Sequence, residues 1–476
     1  MVTSPPTQER ELSDGLIAAA MAGSLDLQST LALYSQHVNP RFVDAVAALN
    51  LARKYVRAEG IHLWDEAGNR YDDFFSGFGC LNLGHNHPKV LDALRKALAD
   101  RAPVFHKLTP SAVEAALAHD LAVLLPRPLG VSFFANSGSE AVEAAIKLAR
   151  AASGRQSLLS ATNSYHGSTL GALSLTGIKK YRNLFKPLRP DVNHVPFGDL
   201  SGVREALRGR QYAAVVLEPI QGQGGVIVPP DQYLQGVRSL CDRFGTLLIL
   251  DESQTGLGRT GALFCFEHFG IVPDILVLSK SLGGGVMPLS ACITSLPLWR
   301  RAYGSFSKFH LHSSTFGGNY LACVCGIAAL QVLTEERLAH NSRTMGEYFI
   351  GALTQLKQKH PGIAEVRGRG LMVGIRIEMG EDRRLNWLAR RMVDRVSPKL
   401  VTSHIASRLL NEHRIIVPPS LSDEYLLRVY PPLNVTKEEI DRFVAAFDCV
   451  CGSLGTYQTL LRQTTERFGK YYFSRE

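Results

Sequence analysis

Asp274-Ile275-Leu276-Val277-Leu278-Ser279-Lys280, continued by Ser281-Leu282-Gly283-Gly284-Gly285, is an apolar strand that ends on a lysine. A buried charge is costly unless it is paired or has chemistry to perform. A lysine in a partly desolvated pocket loses proton affinity and becomes a usable amine nucleophile. The glycines that follow let backbone and ligand approach closely. These are the requirements of a lysine that forms a Schiff base. Asp251 stands 29 positions earlier, inside LLILDESQTGLGRTG (247–261). It follows four apolar residues, so its carboxylate must be paired or neutral. Pairing with a pyridinium nitrogen, an N-cap or an ion pair would each meet that need.

The same pattern of short apolar strands and helices of 3.6 periodicity extends on both sides. Strands are predicted over 131–135, 157–161, 213–217, 247–250 and 275–278. Helices are predicted over 140–152 and 232–244. This alternation predicts an α/β fold with a mainly parallel sheet and helices on both faces. Ligands of such sheets bind near the carboxyl ends of strands. Residues 50–80 read instead as a small antiparallel sheet, with Asp65-Glu66-Ala67-Gly68-Asn69 as a turn. Beyond 336 the pattern becomes a long helix (345–360), strands at 370–377 and 426–429, and a final helix opened by the capping box Thr436-Lys437-Glu438-Glu439. The expected organisation is an N-terminal arm (1–30), a segment joining the small domain (31–87), a large domain (88–335), a small α+β domain (336–450) and a tail (451–476).

The 476 residues suffice for two domains with a large core. The net charge of +9 is spread out, with no block of five basic residues, so no nucleic-acid or membrane footprint is expected. No apolar run approaches the roughly 18 residues of a membrane span. Eight cysteines lack C-x-x-C spacing, so no metal site is expected. With no signal peptide at the start, a reducing cytoplasm is the expected location.

Two further segments sit at strand ends. Asn136-Ser137-Gly138-Ser139-Glu140 places glycine and serine at a helix start, where a phosphate or a simple N-cap both fit. Tyr165-His166-Gly167 follows the next strand, where an aromatic could stack on a flat ring or pack in the core. A phosphate cradle, a stacking aromatic, a buried acid and a nucleophilic lysine thus occur in order on successive strand ends.

With these residues in place, the chain resembles the class III aminotransferases, a group of pyridoxal-phosphate enzymes of fold type I. The matching segments are FFANSGSEAVEAAIKLAR (133–150), SYHGSTLGALS (164–174), VVLEPIQGQGG (215–225), LLILDESQTGLGRTG, ILVLSKSLGGGVMPLSA (275–291), STFGGNYLACVCG (314–326) and LLRVYPPLNVTKEEID (426–441). GFGCLNLGHNHPKV (77–90) and HVNPRF (37–42) extend the likeness.

The resemblance implies that Lys280 joins pyridoxal 5′-phosphate as a Schiff base and then shuttles a proton. It implies that Asp251 pairs with the pyridine nitrogen, Gln254 with the phenolic oxygen, and Gly138 and Ser139 with the phosphate. Tyr165 would stack on the ring and Glu218 would lie near it. Thr315 would reach the phosphate of a neighbouring subunit in a homodimer. Arg428 matches the arginine that binds a substrate carboxylate. Three positions depart from the common pattern. Gln223 replaces a glutamate that can pair with this arginine, and a neutral amide cannot switch off its charge. Phe78 and Ser168 replace a tyrosine and an arginine that contact carboxylates in ornithine-type members; putrescine-type members also carry Phe at 78. Ser253 replaces a valine beside the acid. The expected substrates are a small amine and a 2-oxo acid or aldehyde, with a diamine of the putrescine or cadaverine class as donor. Amination of a longer aldehyde or ketone by an amino-acid donor is the alternative.

Overall fold

The computed structural model describes residues 14–104, 108–209, 211–378, 400–420 and 422–454. Residues 1–13 of the expected arm and all but 451–454 of the expected tail lie outside these residues. The arm contributes helices Asp14–Met21 and Leu27–His37.

Strands β1 (Tyr55–Glu59), β2 (His62–Asp65) and β3 (Arg70–Asp73) form the predicted antiparallel meander. Its turn is held by Asp65, whose Oδ1 accepts from the backbone N–H of Ala67 and Asn69 at 3.0 and 2.9 Å.

The central sheet has seven strands: β4 (Leu129–Ala135), β5 (Ser157–Ala161), β6 (Val192–Val195), β7 (Tyr212–Leu217), β8 (Leu247–Asp251), β9 (Ile275–Leu278) and β10 (Ser290–Ser295). Their order is β4-β10-β9-β8-β7-β5-β6. The pairs from β9 through β6 are parallel, and β10 runs antiparallel to both of its neighbours. Every residue of β7 and β9 is buried, as a parallel strand covered on both faces requires. The helix Gly138–Ser153 covers one face with its alanine-rich side and packs on Leu158, Ala213, Ile249 and Val277. The larger core fills the other face and continues under the C-terminal elements. The spacing between Asp251 and Lys280 now has a cause. β8 and β9 are adjacent parallel strands, so the two residues are separated in sequence by one crossover; Asp251 registers with Val277, three residues before Lys280, and both residues stand at the carboxyl end of the sheet.

A third sheet is antiparallel, built from β11 (Ile363–Arg369), β12 (Met372–Ile377) and β14 (Leu426–Val429), while the two-residue β13 (Ile415–Ile416) joins β3 in parallel. The helix Leu338–Lys359 starts earlier than the predicted 345. Among the described residues, no helix is long and apolar enough to cross a membrane.

Candidate active site

A cavity of about 360 Å³ opens beyond the carboxyl ends of β5, β7, β8 and β9. Its lining includes Tyr165 after β5, Glu218 after β7, Asp251 at the end of β8 and Lys280 after β9. Phe78, Gln223, Ser253 and Gln254 also line it, whereas Gly138, Ser139, Arg428 and Thr315 are not among its lining residues. Lys280 sits at φ +46°, a left-handed conformation that costs a side-chain-bearing residue about 1–2 kcal/mol. Gly283 and Gly284 follow in a tight 3₁₀ turn, and Gly284 at φ +68° is the turn's left-handed cap.

Asp251 is buried on the floor of the cavity. Its Oδ2 faces His166 Nδ1 at 2.9 Å, and its Oδ1 accepts from the Ser253 N–H and Oγ at 3.1 and 2.6 Å. Burial is the largest influence and pushes the carboxyl up. The His166 and Ser253 contacts together outweigh it and hold the group below its ordinary value. Asp251 is therefore an anion at neutral pH, placed where a protonated ring nitrogen would find it. Glu218 differs. Its oxygens accept from the Tyr165 and Gly222 N–H groups at 2.9 and 3.1 Å, yet burial pushes it up to about 7.

Gln254 donates to the Phe78 carbonyl at 2.8 Å. Phe78 is in the left-handed region and meets Phe75 edge-on at 4.3 Å between ring centres. Arg428, on β14, is completely buried, with its guanidinium carbon 5.3 Å from the Phe78 ring centre. It donates Nη1 to Gln223 Oε1 at 2.5 Å; among the described residues Nε and Nη2 make no hydrogen bond of ordinary geometry, although the Tyr430 hydroxyl interacts with the guanidinium. The neutral amide does contact the arginine, but it brings no charge.

Gly138 and Ser139 start the helix after β4, capped by Ser137. A Cβ at 138 would meet Ser253 Oγ at 3.3 Å and Ser279 at 3.5 Å, so glycine there keeps the approach to the helix N–H groups open. Ser139 Oγ accepts from the Ser168 N–H at 3.1 Å. Thr315 is exposed and lies outside the cavity lining of its own chain.

Sequence reasoning missed His166, Tyr181 and Ser422. His166 carried a readable signal, a histidine within two residues of the proposed stacking aromatic. Tyr181, on the short helix Lys179–Arg182, and Ser422, in a loop before β14, are far apart in sequence and carried none. Gln223 Nε2 donates to Tyr181 Oη at 2.8 Å and to Ser422 Oγ at 3.0 Å.

The chemistry of the residues fits pyridoxal phosphate: a buried acid held toward its anionic form, a lysine just after the next strand, a glycine-serine helix start and an aromatic, Tyr165, in the lining. Comparison with known proteins agrees. The family described as "Aminotransferase class-III" matches residues 43–450. Aminotransferase PigE of a Serratia species is 39% identical over 95% of this chain, which spans 56% of the length of that relative. Putrescine aminotransferase of Pectobacterium atrosepticum is 39% identical over 87% of this chain and 86% of its own. A structure of ornithine aminotransferase from Toxoplasma gondii, with partial occupancy of PLP at the active site, is 30% identical. It superposes with a TM-score of 0.79, covering 96% of this chain and 100% of that one. The fold is that of the type I pyridoxal-phosphate enzymes, and the chain belongs to the class III aminotransferases, with pyridoxal 5′-phosphate as the cofactor.

Proposed function

We propose that this aminotransferase moves an amino group between a carboxylate-free amine, a diamine of the putrescine or cadaverine class, and a 2-oxo acid. Arg428 carries the reading. A fully buried guanidinium whose Nε and Nη2 make no hydrogen bond of ordinary geometry among the described residues needs an anionic partner, and a planar carboxylate matches its fork. The facing wall offers no donor at Phe78, which suits a second substrate that has no carboxylate there.

Bound pyridoxal phosphate supplies an electron sink for carbanion chemistry. Lys280 Nζ takes and returns the proton at the substrate carbon. Asp251, held toward its anionic form by His166 and Ser253, would partner the ring nitrogen. Gln254 would serve the phenolic oxygen, Tyr165 would stack on the ring, and the N–H groups of Gly138 and Ser139 would hold the phosphate at the positive end of their helix. Glu218, with both oxygens committed to backbone donors, would lie near the ring. Thr315 serves the neighbouring subunit of a homodimer. All eight cysteines are free thiols, which suits a reducing compartment such as the cytoplasm.

A second reading is amination of a longer aldehyde or ketone by an amino-acid donor. It is favoured by the carboxylates of the lining. Glu218 and Asp251 are both occupied by internal donors, so a distal ammonium finds no free anion there.

The visible spectrum of the purified enzyme separates these readings. Putrescine added without a keto acid should shift the cofactor band. A band that ignores putrescine and shifts with glutamate or alanine establishes the second reading. A protein with no visible band after incubation with pyridoxal phosphate overturns both.

A further inference from the structure

We infer that Tyr181 is a specificity-determining residue whose phenol donates a hydrogen bond to the substrate carboxylate held by Arg428, with Gln223 setting its direction. This rests on the carboxylate role proposed for Arg428.

Counting protons gives the direction. Arginine offers only donors, so Gln223 must turn Oε1 toward it, as the 2.5 Å contact requires. The amide nitrogen then faces away and spends its two protons on Tyr181 Oη and Ser422 Oγ, at 2.8 and 3.0 Å. Both hydroxyls are therefore acceptors toward Gln223. They lie 3.3 Å apart, and only one of them can donate in that contact. One O–H remains. Tyr181 lines the cavity, whereas Ser422 is not among its lining residues. Either hydroxyl can donate in that contact; with Ser422 as the donor, the phenol proton is left for the substrate space, with Gln223 between it and Arg428.

The phenol is held firmly. Tyr181 belongs to the short helix Lys179–Arg182, and its ring meets Tyr165 edge-on at 5.5 Å. The Ser422 loop is tied down by Asp423, which accepts from Arg376 Nη1 at 2.8 Å. A carboxylate at position 223 would reverse the arrangement. Having no donors, it would draw both hydroxyl protons to itself and neutralise Arg428. Glutamine instead leaves the arginine charged and releases a phenol proton for the substrate space. A donor missing from one wall, at Phe78, is thus supplied from another.

The test uses the holoenzyme and glutarate, an unreactive dicarboxylate, titrated by calorimetry. Steady-state kinetics with 2-oxoglutarate run in parallel, using whichever amine shifts the visible band. Tyr181→Phe should weaken glutarate about 10-fold and raise the KM for 2-oxoglutarate by a similar factor, the size expected for losing a hydrogen bond to a charged group. The kcat and the KM for the amine should stay within about twofold, a split that general loosening of the site would not produce. Gln223→Glu should weaken glutarate by at least as much. Tyr181→Phe added to Gln223→Glu should then have no further effect, because the phenol proton has already turned to the introduced carboxylate. Equal effects of Tyr181→Phe in both backgrounds overturn the inference. So does wild-type glutarate affinity in Tyr181→Phe when Arg428→Lys binds glutarate poorly, a result that leaves the role of Arg428 standing. Unchanged glutarate affinity in both Tyr181→Phe and Arg428→Lys removes the Arg428 role itself.

Discussion

Glu252 and Asp251 are neighbours at one strand end, and their surroundings drive them in opposite directions. Asp251 points to the cavity and is held down by His166 and Ser253. Glu252 points the other way, fully buried, and fastens the turn at Cys265–Phe269 by accepting the Cys265 and Phe266 N–H groups at 2.6 and 2.7 Å. Burial pushes its carboxyl from 4.5 up to about 8. A group raised in the folded state binds its proton more tightly there than in the unfolded chain. Its contribution is fully present below pH 4.5 and is lost as the pH rises through about 8. Glu252→Gln removes that titration, keeps one acceptor and turns an NH₂ toward the other backbone N–H. The variant should be less stable by about 1–3 kcal/mol at pH 5. The gap should narrow as the pH rises toward 9. Denaturant melts across this range check it; a gap that stays constant would remove the titration of Glu252 from the account.

Among elements, the last helix gives the cleanest test of a local signal. Thr436 Oγ1 accepts the Glu439 N–H at 3.3 Å and Glu439 Oε2 accepts the Thr436 N–H at 2.8 Å, so the capping box read from four residues is formed on Lys437–Gly452. Thr436→Ala should cost about 1 kcal/mol, read from a denaturant midpoint, and an unchanged midpoint would show that packing alone fixes the helix start. Strands were legible where burial is complete. β5 and β9 have the predicted bounds because nothing but core surrounds them. β10 was not legible. Its Ser290-Ala-Cys-Ile-Thr-Ser has small polar residues that become buried only because β4 and β9 flank it. β11, with Glu365, Arg367 and Arg369, escaped for a related reason: Arg367 is satisfied by the Gly225 carbonyl at 2.7 Å, far away in sequence. The site divides in the same way. Residues on strand ends could be read because a strand end is a local event. The Tyr181–Gln223–Ser422 contacts could not, since a short helix and two loops, far apart in sequence, meet only after the sheets have packed.

For the whole molecule, the proposed homodimer has a testable contact surface around Thr315. Thr315 stands exposed in the stretch between the helices Leu296–Tyr303 and Tyr320–Glu335. The same stretch exposes Phe306, Phe309 and Leu311, at 95, 58 and 58% of their surface. Isolated apolar residues on a surface are ordinary, but a run of them in one connection marks an interaction site. In the proposed homodimer this run would be covered, and Thr315 would serve the neighbouring subunit's cofactor phosphate as the family resemblance implies. Two consequences follow from one geometry. Sedimentation of the wild-type protein should give a dimer, and Phe306→Asp with Phe309→Asp should shift it toward monomer. Thr315→Ala should leave the dimer intact while weakening pyridoxal phosphate retention about 10-fold in equilibrium dialysis, as expected for one hydrogen bond to a charged group. A monomeric wild type that holds the cofactor tightly would sink both. A dimer whose Thr315→Ala variant binds the cofactor unchanged would keep the interface and remove the threonine from the neighbour's site.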